Sequence, residues 1–153
     1  MNAFRTILRY WLWLMLALVI LQIGFAGYGA FDTADKVSNG SVDETAFEDS
    51  FGLHIGFGYL VVLAGLITLL IALAARPGRQ RVLHALGIFV LLIVQVLLAW
   101  TGGAVPAIFG ALHPINAFLI LGAVASLGYR LRKDEEAGRT TSAMIAPPPS
   151  AAA

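Results

Sequence analysis

The chain has 153 residues, of which 59% are hydrophobic and only 12% are charged, whereas a soluble domain carries roughly 25% charged residues. Charged side chains are absent from long stretches, which indicates an integral membrane protein with one domain. The chain has no cysteine, so disulfides, thiolate-held iron–sulfur clusters, covalent c-type haem and cysteine nucleophiles are excluded. A net charge of +1 gives no reason to expect nucleic-acid binding.

Four apolar runs follow one another, each close to the roughly 20 residues that cross the hydrocarbon core of a bilayer. We expect an all-α fold, an integral membrane four-helix bundle of up-down-up-down topology within residues 1–131. Pro114 is expected in the first turn of the fourth helix, where its missing N–H costs nothing. The predicted helices cover about 11–30, 51–75, 82–101 and 111–130.

The start of the chain, "MNAFRTILRY", is basic and precedes an apolar run, as in a signal peptide. The apolar run is longer than the usual roughly 7–15 residues of such a peptide. Bulky Tyr28 also stands where cleavage after Ala30 would require a small residue. We therefore expect an uncleaved first helix.

The charges predict an orientation. Nine of the ten basic residues fall on one side of the membrane if the four spans alternate. The opposite side receives a loop over 31–50, which carries six acidic residues and one basic residue, Lys36. The positive-inside rule then places both termini in the cytoplasm of a bacterial-type cell, in its inner membrane. The tail over 132–153 has no periodic apolar face, and we expect it to be cytoplasmic and disordered.

Two of the three histidines begin predicted helices that run in the same direction. His54 lies in "FGLHIGFGYL" near the start of the second helix, and His113 lies in "GALHPINAFLI" near the start of the fourth. Both are expected at a similar depth near the outer surface, on helices that lie diagonally across the bundle. Two imidazoles facing each other there are the axial ligands that one haem b requires.

The neighbouring residues are compatible with such a cofactor. Gly58 lies one turn after His54 and is expected to leave space for a flat ligand, and Asn116 lies near His113. Gln22 and Gln95 fall in the same outer half, where they are candidates for hydrogen bonds to haem propionates, to a quinone or to each other. The alternative interpretation is ordinary helix packing, with small residues at contacts and the amides as interhelical hydrogen bonds. His84 is expected to be an interfacial residue without a role in the site.

These two histidine motifs and the four-helix topology resemble one half of heme A synthase, over about residues 10–131. The "LHPxNA"-like segment also resembles that of small four-span bacterial membrane proteins of uncharacterised function. The first resemblance implies that His54 and His113 hold a haem. The active half of that synthase has a glutamate three residues before the second-helix histidine, and here that position is Phe51. The resemblance therefore implies a haem protein rather than an enzyme that makes haem A.

We expect a small membrane protein that binds a non-covalent haem b for electron transfer or redox support, with no independent catalytic activity. The expected partners are the lipid bilayer, a quinone or a larger redox complex, and a second copy of the chain. A cofactor-free structural or assembly protein is the alternative. A transporter is disfavoured because the spans have no carboxylate, and a hydrolase because no serine or threonine has a histidine–carboxylate arrangement around it.

Overall fold

The computed structural model describes residues 3–41, 43, 45–101 and 107–145, and within these the chain forms four helices and no strand. All four helices are long and apolar enough to cross a membrane. The predicted all-α fold is confirmed, and the chain is a multi-pass membrane protein. The helices are α1 (Ala3–Ser38), α2 (Ala46–Ala75), α3 (Arg79–Thr101) and α4 (Ala107–Ile145).

Each helix packs against its neighbours in the chain, and α1 also packs against α4. Within the described residues the backbones of α1 and α3, and those of α2 and α4, make no close approach, so these two pairs form the diagonals of the bundle. This is the up-down-up-down arrangement expected from the four runs. We call the half with the connection over 39–45 the upper half, and the half with the link over 76–78 the lower half.

The lower half has a closely packed core. Gly65 of α2 leaves no room for a side chain, because Leu92 of α3 and Met15 of α1 pack against it. Trp11 of α1 donates its indole N–H to the hydroxyl oxygen of Thr68 at 2.9 Å, which joins α1 to α2. Small residues thus allow close contact between helices here, as is usual in membrane proteins.

The helices extend beyond the apolar runs from which they were predicted. The predicted loop over 31–50 is mostly helical, because α1 continues to Ser38 and α2 already begins at Ala46. The polar extension of α1 is stabilised by an ion pair between Asp32 and Lys36, whose charged atoms are 2.9 Å apart. The length of an apolar run indicates which residues lie in hydrocarbon, but it does not indicate where the helix ends, because a helix can continue into water.

A turn at "SNG", residues 38–40, closes α1. Gly40 adopts a left-handed conformation with φ +68°, which a glycine accepts at little cost. The N–H of Ser41 donates to the carbonyl of Lys36 at 2.9 Å, and that of Gly40 donates to the carbonyl of Val37 at 3.2 Å. These two bonds form the Schellman motif that ends many helices.

The prediction of a disordered tail from residue 132 needs correction, because α4 continues to Ile145. Ion pairs explain the extension: Asp134 accepts two hydrogen bonds from Arg81 of α3, both at 2.9 Å, and Glu135 pairs with Arg9 of α1 at 3.0 Å. Residues 146–153 lie outside the described residues. Pro114 also lies farther inside α4 than predicted, since α4 begins at Ala107.

Candidate functional site

The upper half of the bundle contains a cavity of about 690 Å³ lined by residues from all four helices. Most of the lining is apolar. Asn116, one of the six predicted site residues, does not line the cavity. The other five do: Gln22, His54, Gly58, Gln95 and His113. The predicted set therefore converges on one site.

The two histidines meet across the α2–α4 diagonal. The centroids of the His54 and His113 rings are 6.0 Å apart, and the ring planes are inclined at 68°. One metal ion bound to a nitrogen of each of two imidazoles holds the ring centroids roughly 6 Å apart, since metal–nitrogen bonds are about 2 Å long. The spacing is compatible with two ligands of one metal ion, and it is also that of an edge-to-face contact between two rings.

A main-chain carbonyl orients each ring. Nδ1 of His54 lies 3.1 Å from the carbonyl oxygen of Gln22 on α1, and Nδ1 of His113 lies 3.2 Å from that of Gln95 on α3. The amide of Gln22 also lies beside the His54 ring, with its Nε2 3.1 Å from Nδ1 and 3.5 Å from Nε2 of the ring. A carbonyl oxygen only accepts, so Nδ1 is the protonated nitrogen in both rings when the bonds to the carbonyls form. Histidines that bind metals commonly have this second hydrogen bond.

The side chain of Gln22 fills the space beside Gly58. Its Nε2 donates to the main-chain carbonyl of His54 at 2.8 Å, and a Cβ added to Gly58 would lie 3.0 Å from that same nitrogen. Gly58 thus lines the cavity and also accommodates the amide, which is the close helix contact given as the alternative for the small residues. Oε1 of Gln22 is buried and, among the described residues, has no hydrogen-bond partner.

Asn116 acts on the site through Gln95. It is only 5% exposed, and its Nδ2 donates to Oε1 of Gln95 at 2.7 Å and to the carbonyl of Leu91 at 2.9 Å. Both acceptors are on α3, so Asn116 fixes α4 against α3 one turn away from His113. It is a positioning residue rather than a ligand of the cavity.

Phe51 is a site residue that the sequence analysis considered only as a departure from the synthase. Its ring lies edge-on to His54, with centroids 6.1 Å apart, and stacks on Phe47 at 4.5 Å. Gly29 of α1 makes room for it, since an added Cβ there would lie 2.9 Å from the ring. The signal in the sequence that could have identified this contact is Gly29, a small residue that lies opposite the Phe51 ring.

His84 lies in the lower half, away from the cavity. Its Nε2 is 3.2 Å from the hydroxyl oxygen of Ser126, and it lies beside no other histidine. Within the described residues there is no group of three or more His, Asp or Glu side chains that could hold a metal ion. The chemistry of the site therefore depends on the pair of histidines in the cavity.

The sequence profile of a family of unknown function, DUF6220, matches residues 22–102, which is more than half of the chain. The matched segment begins at Gln22 and includes His54 and Gln95, but ends before His113. Searches of curated proteins and of solved structures found no match.

Proposed function

The chain belongs to the DUF6220 family, and we propose that it is a small membrane haem protein in which His54 and His113 are the axial ligands of one haem b. The observation that carries the proposal is the diagonal pair of rings, whose centroids are 6.0 Å apart beside a cavity of about 690 Å³. The resemblance to one half of heme A synthase supports the same assignment.

The residues present fit a haem. The two Nε2 atoms are the only nitrogen donors needed for bis-histidine ligation, and the apolar lining suits a flat macrocycle. Phe51 occupies the position at which the synthase has a glutamate, so the proposal does not include haem A synthesis. When bound, the haem supplies one-electron transfer, and Gln22 and Gln95 hold the imidazoles through their carbonyls.

The proposed setting is the inner membrane of a bacterial-type cell, with both termini in the cytoplasm and the site near the outer face. The charge distribution supports this orientation, since nine of the ten basic residues then lie inside. Electron exchange with a membrane-dissolved carrier or with a larger redox complex is the proposed role. Assembly as a homodimer is compatible with it but is not required.

The test is a visible spectrum of the protein purified in mild detergent after expression with haem available. We expect a low-spin b-type α band in the dithionite-reduced minus oxidised difference spectrum. His54→Ala and His113→Ala should each convert the spectrum to high spin or lose the haem, because each removes one axial ligand. His84→Ala is the matched control, and its spectrum should equal that of the parent.

A parent protein without an α band despite ample haem would contradict the proposal and favour a cofactor-free structural role. A low-spin band that survives in both single variants would show that the protein binds haem but that His54 and His113 are not its ligands. Loss of the band in His84→Ala alone would move the site to the lower half of the bundle.

A further inference from the structure

The cavity has one exposed side. Every lining residue contributed by α1 and α4 is buried or half-buried, whereas the exposed lining residues all belong to α2 and α3. Among the described residues, the cavity is therefore open between α2 and α3. We call the exposed residues the mouth: Phe47, Ile55, Tyr59, Ala99 and Trp100.

The two walls of the mouth belong to neighbouring helices and line the same cavity. Phe57 of α2 packs edge-on against Phe25 of α1, and Tyr59, two residues later, lies on nearly the opposite side of α2. On α3, Leu92 contacts Gly65 of α2, and Trp100, about two turns above it, is rotated by roughly 80° around the helix axis toward the outside of the bundle. Among the described residues, the cavity thus opens along the outer side of the α2–α3 pair.

The opening is confined to the upper half. In the lower half, Gly65 admits the side chain of Leu92, and the link over 76–78 keeps the ends of α2 and α3 close together. Ile55, Tyr59 and Ala99 lie within the apolar runs of α2 and α3, so this part of the open side faces the bilayer. A molecule dissolved in the bilayer therefore has a direct route into the mouth.

We infer that the mouth binds the ring of a lipid-soluble quinone. Tyr59 is 55% exposed and Trp100 is 68% exposed, so both present an aromatic face and a polar hydrogen at the opening. No hydrogen bond joins the Tyr59 hydroxyl or the Trp100 indole N–H to another described residue, which leaves both donors for the carbonyl oxygens of a quinone. A phospholipid also offers ester carbonyls as acceptors, but not two carbonyls on one flat ring that fits between the two aromatic side chains. This inference goes beyond the proposed haem site and does not require the haem.

The test uses the natural absence of cysteine from the chain. Ala99→Cys places one thiol in the mouth, and Leu97→Cys places a control thiol on the same helix at an exposed position outside the cavity. In phosphatidylcholine vesicles, each variant is treated with a benzoquinone that carries a ten-carbon alkyl tail and has free ring positions. The thiol sulfur bonds to a ring carbon, and the thiol and ring hydrogens move to the two oxygens, giving a quinol thioether that mass spectrometry detects.

We expect the Ala99→Cys adduct to form about tenfold faster than the Leu97→Cys adduct, because binding raises the local quinone concentration. A fully substituted decyl benzoquinone should protect Ala99→Cys saturably and leave Leu97→Cys unaffected. Adding Tyr59→Phe or Trp100→Phe should each weaken this protection about fivefold, since each removes one hydrogen bond. Equal adduct rates, or equal protection by decylbenzene, would overturn the inference.

The measurement is made on protein prepared without haem, so its outcome is independent of the spectral test. If the protein shows no α band but is labelled selectively, quinone binding at the mouth is supported and only the haem proposal is contradicted. If it shows an α band but is labelled unselectively, only quinone binding at the mouth is contradicted.

Discussion

In the α1–α2 pair the main-chain carbonyl of Gln22 faces Nδ1 of His54, and in the α3–α4 pair the carbonyl of Gln95 faces Nδ1 of His113. The glutamine side chains differ. The amide of Gln22 donates to the backbone of His54 and leaves its own oxygen unpaired, whereas the oxygen of Gln95 accepts from Asn116. The comparison shows that a main-chain carbonyl faces each histidine, whereas the glutamine side chain lies beside the ring in the α1–α2 pair and binds Asn116 in the α3–α4 pair.

Asn116→Leu should give the largest effect and should break the α3–α4 pair specifically. It removes two hydrogen bonds and leaves Oε1 of Gln95 without its donor, so we expect a loss of about 2 kcal/mol in the free energy of unfolding. Unfolding in detergent by SDS titration measures it. Leu112→Ala, at an exposed position on the same helix, is the control and should change the free energy of unfolding far less. A variant as stable as the parent would show that Asn116 does not hold α4 in place.

The two glutamines should then respond differently to the same substitution. Gln95→Leu leaves one N–H of Asn116 unpaired and should cost about 1 kcal/mol. Gln22→Leu removes the hydrogen bond to the His54 carbonyl and the amide's contacts with the His54 ring, but also an unpaired buried oxygen, so its cost should stay below that of Gln95→Leu. In both variants the carbonyl that faces the histidine remains. Equal costs in the same SDS titration would contradict the difference between the two pairs.

The smallest effect concerns the α1–α2 pair. Gly58→Ala puts a methyl group 3.0 Å from Nε2 of Gln22, whereas an added Cβ at Gly56 meets nothing within 4 Å. Alanine is preferred over glycine within a helix, so Gly56→Ala should be neutral or stabilising. We expect Gly58→Ala to be about 1 kcal/mol less stable than Gly56→Ala, because the amide must move. If the two variants unfold at the same SDS concentration, the space beside Gly58 is not limiting.

The four spans could be predicted because hydrocarbon thickness imposes a length and excludes charge. The helix ends could not, because they depend on interactions formed in water, such as the ion pair between Asp32 and Lys36 and the pairing of Arg81 with Asp134. In each case the partner residue becomes visible only in the folded chain.

The convergence of His54 and His113 was predictable from direction and depth along two diagonal helices. The bonds that orient them were not, because a main-chain carbonyl accepts a hydrogen bond whatever side chain its residue carries. For Gly58 the sequence left both a flat ligand and ordinary helix packing open for a related reason: a glycine indicates close approach, but does not identify the group that approaches, here the amide of Gln22.

The extension of α4 changes the outline of the molecule on the side of the chain termini. From Leu131 to Ile145 the helix adds 14 residues, which is about 21 Å of length. Its base is tied to α1 and α3 by Glu135 and Asp134. Because residues 132–136 are all charged, the helix carries a charged surface past its last apolar turns, where a soluble partner could bind without contacting the apolar spans.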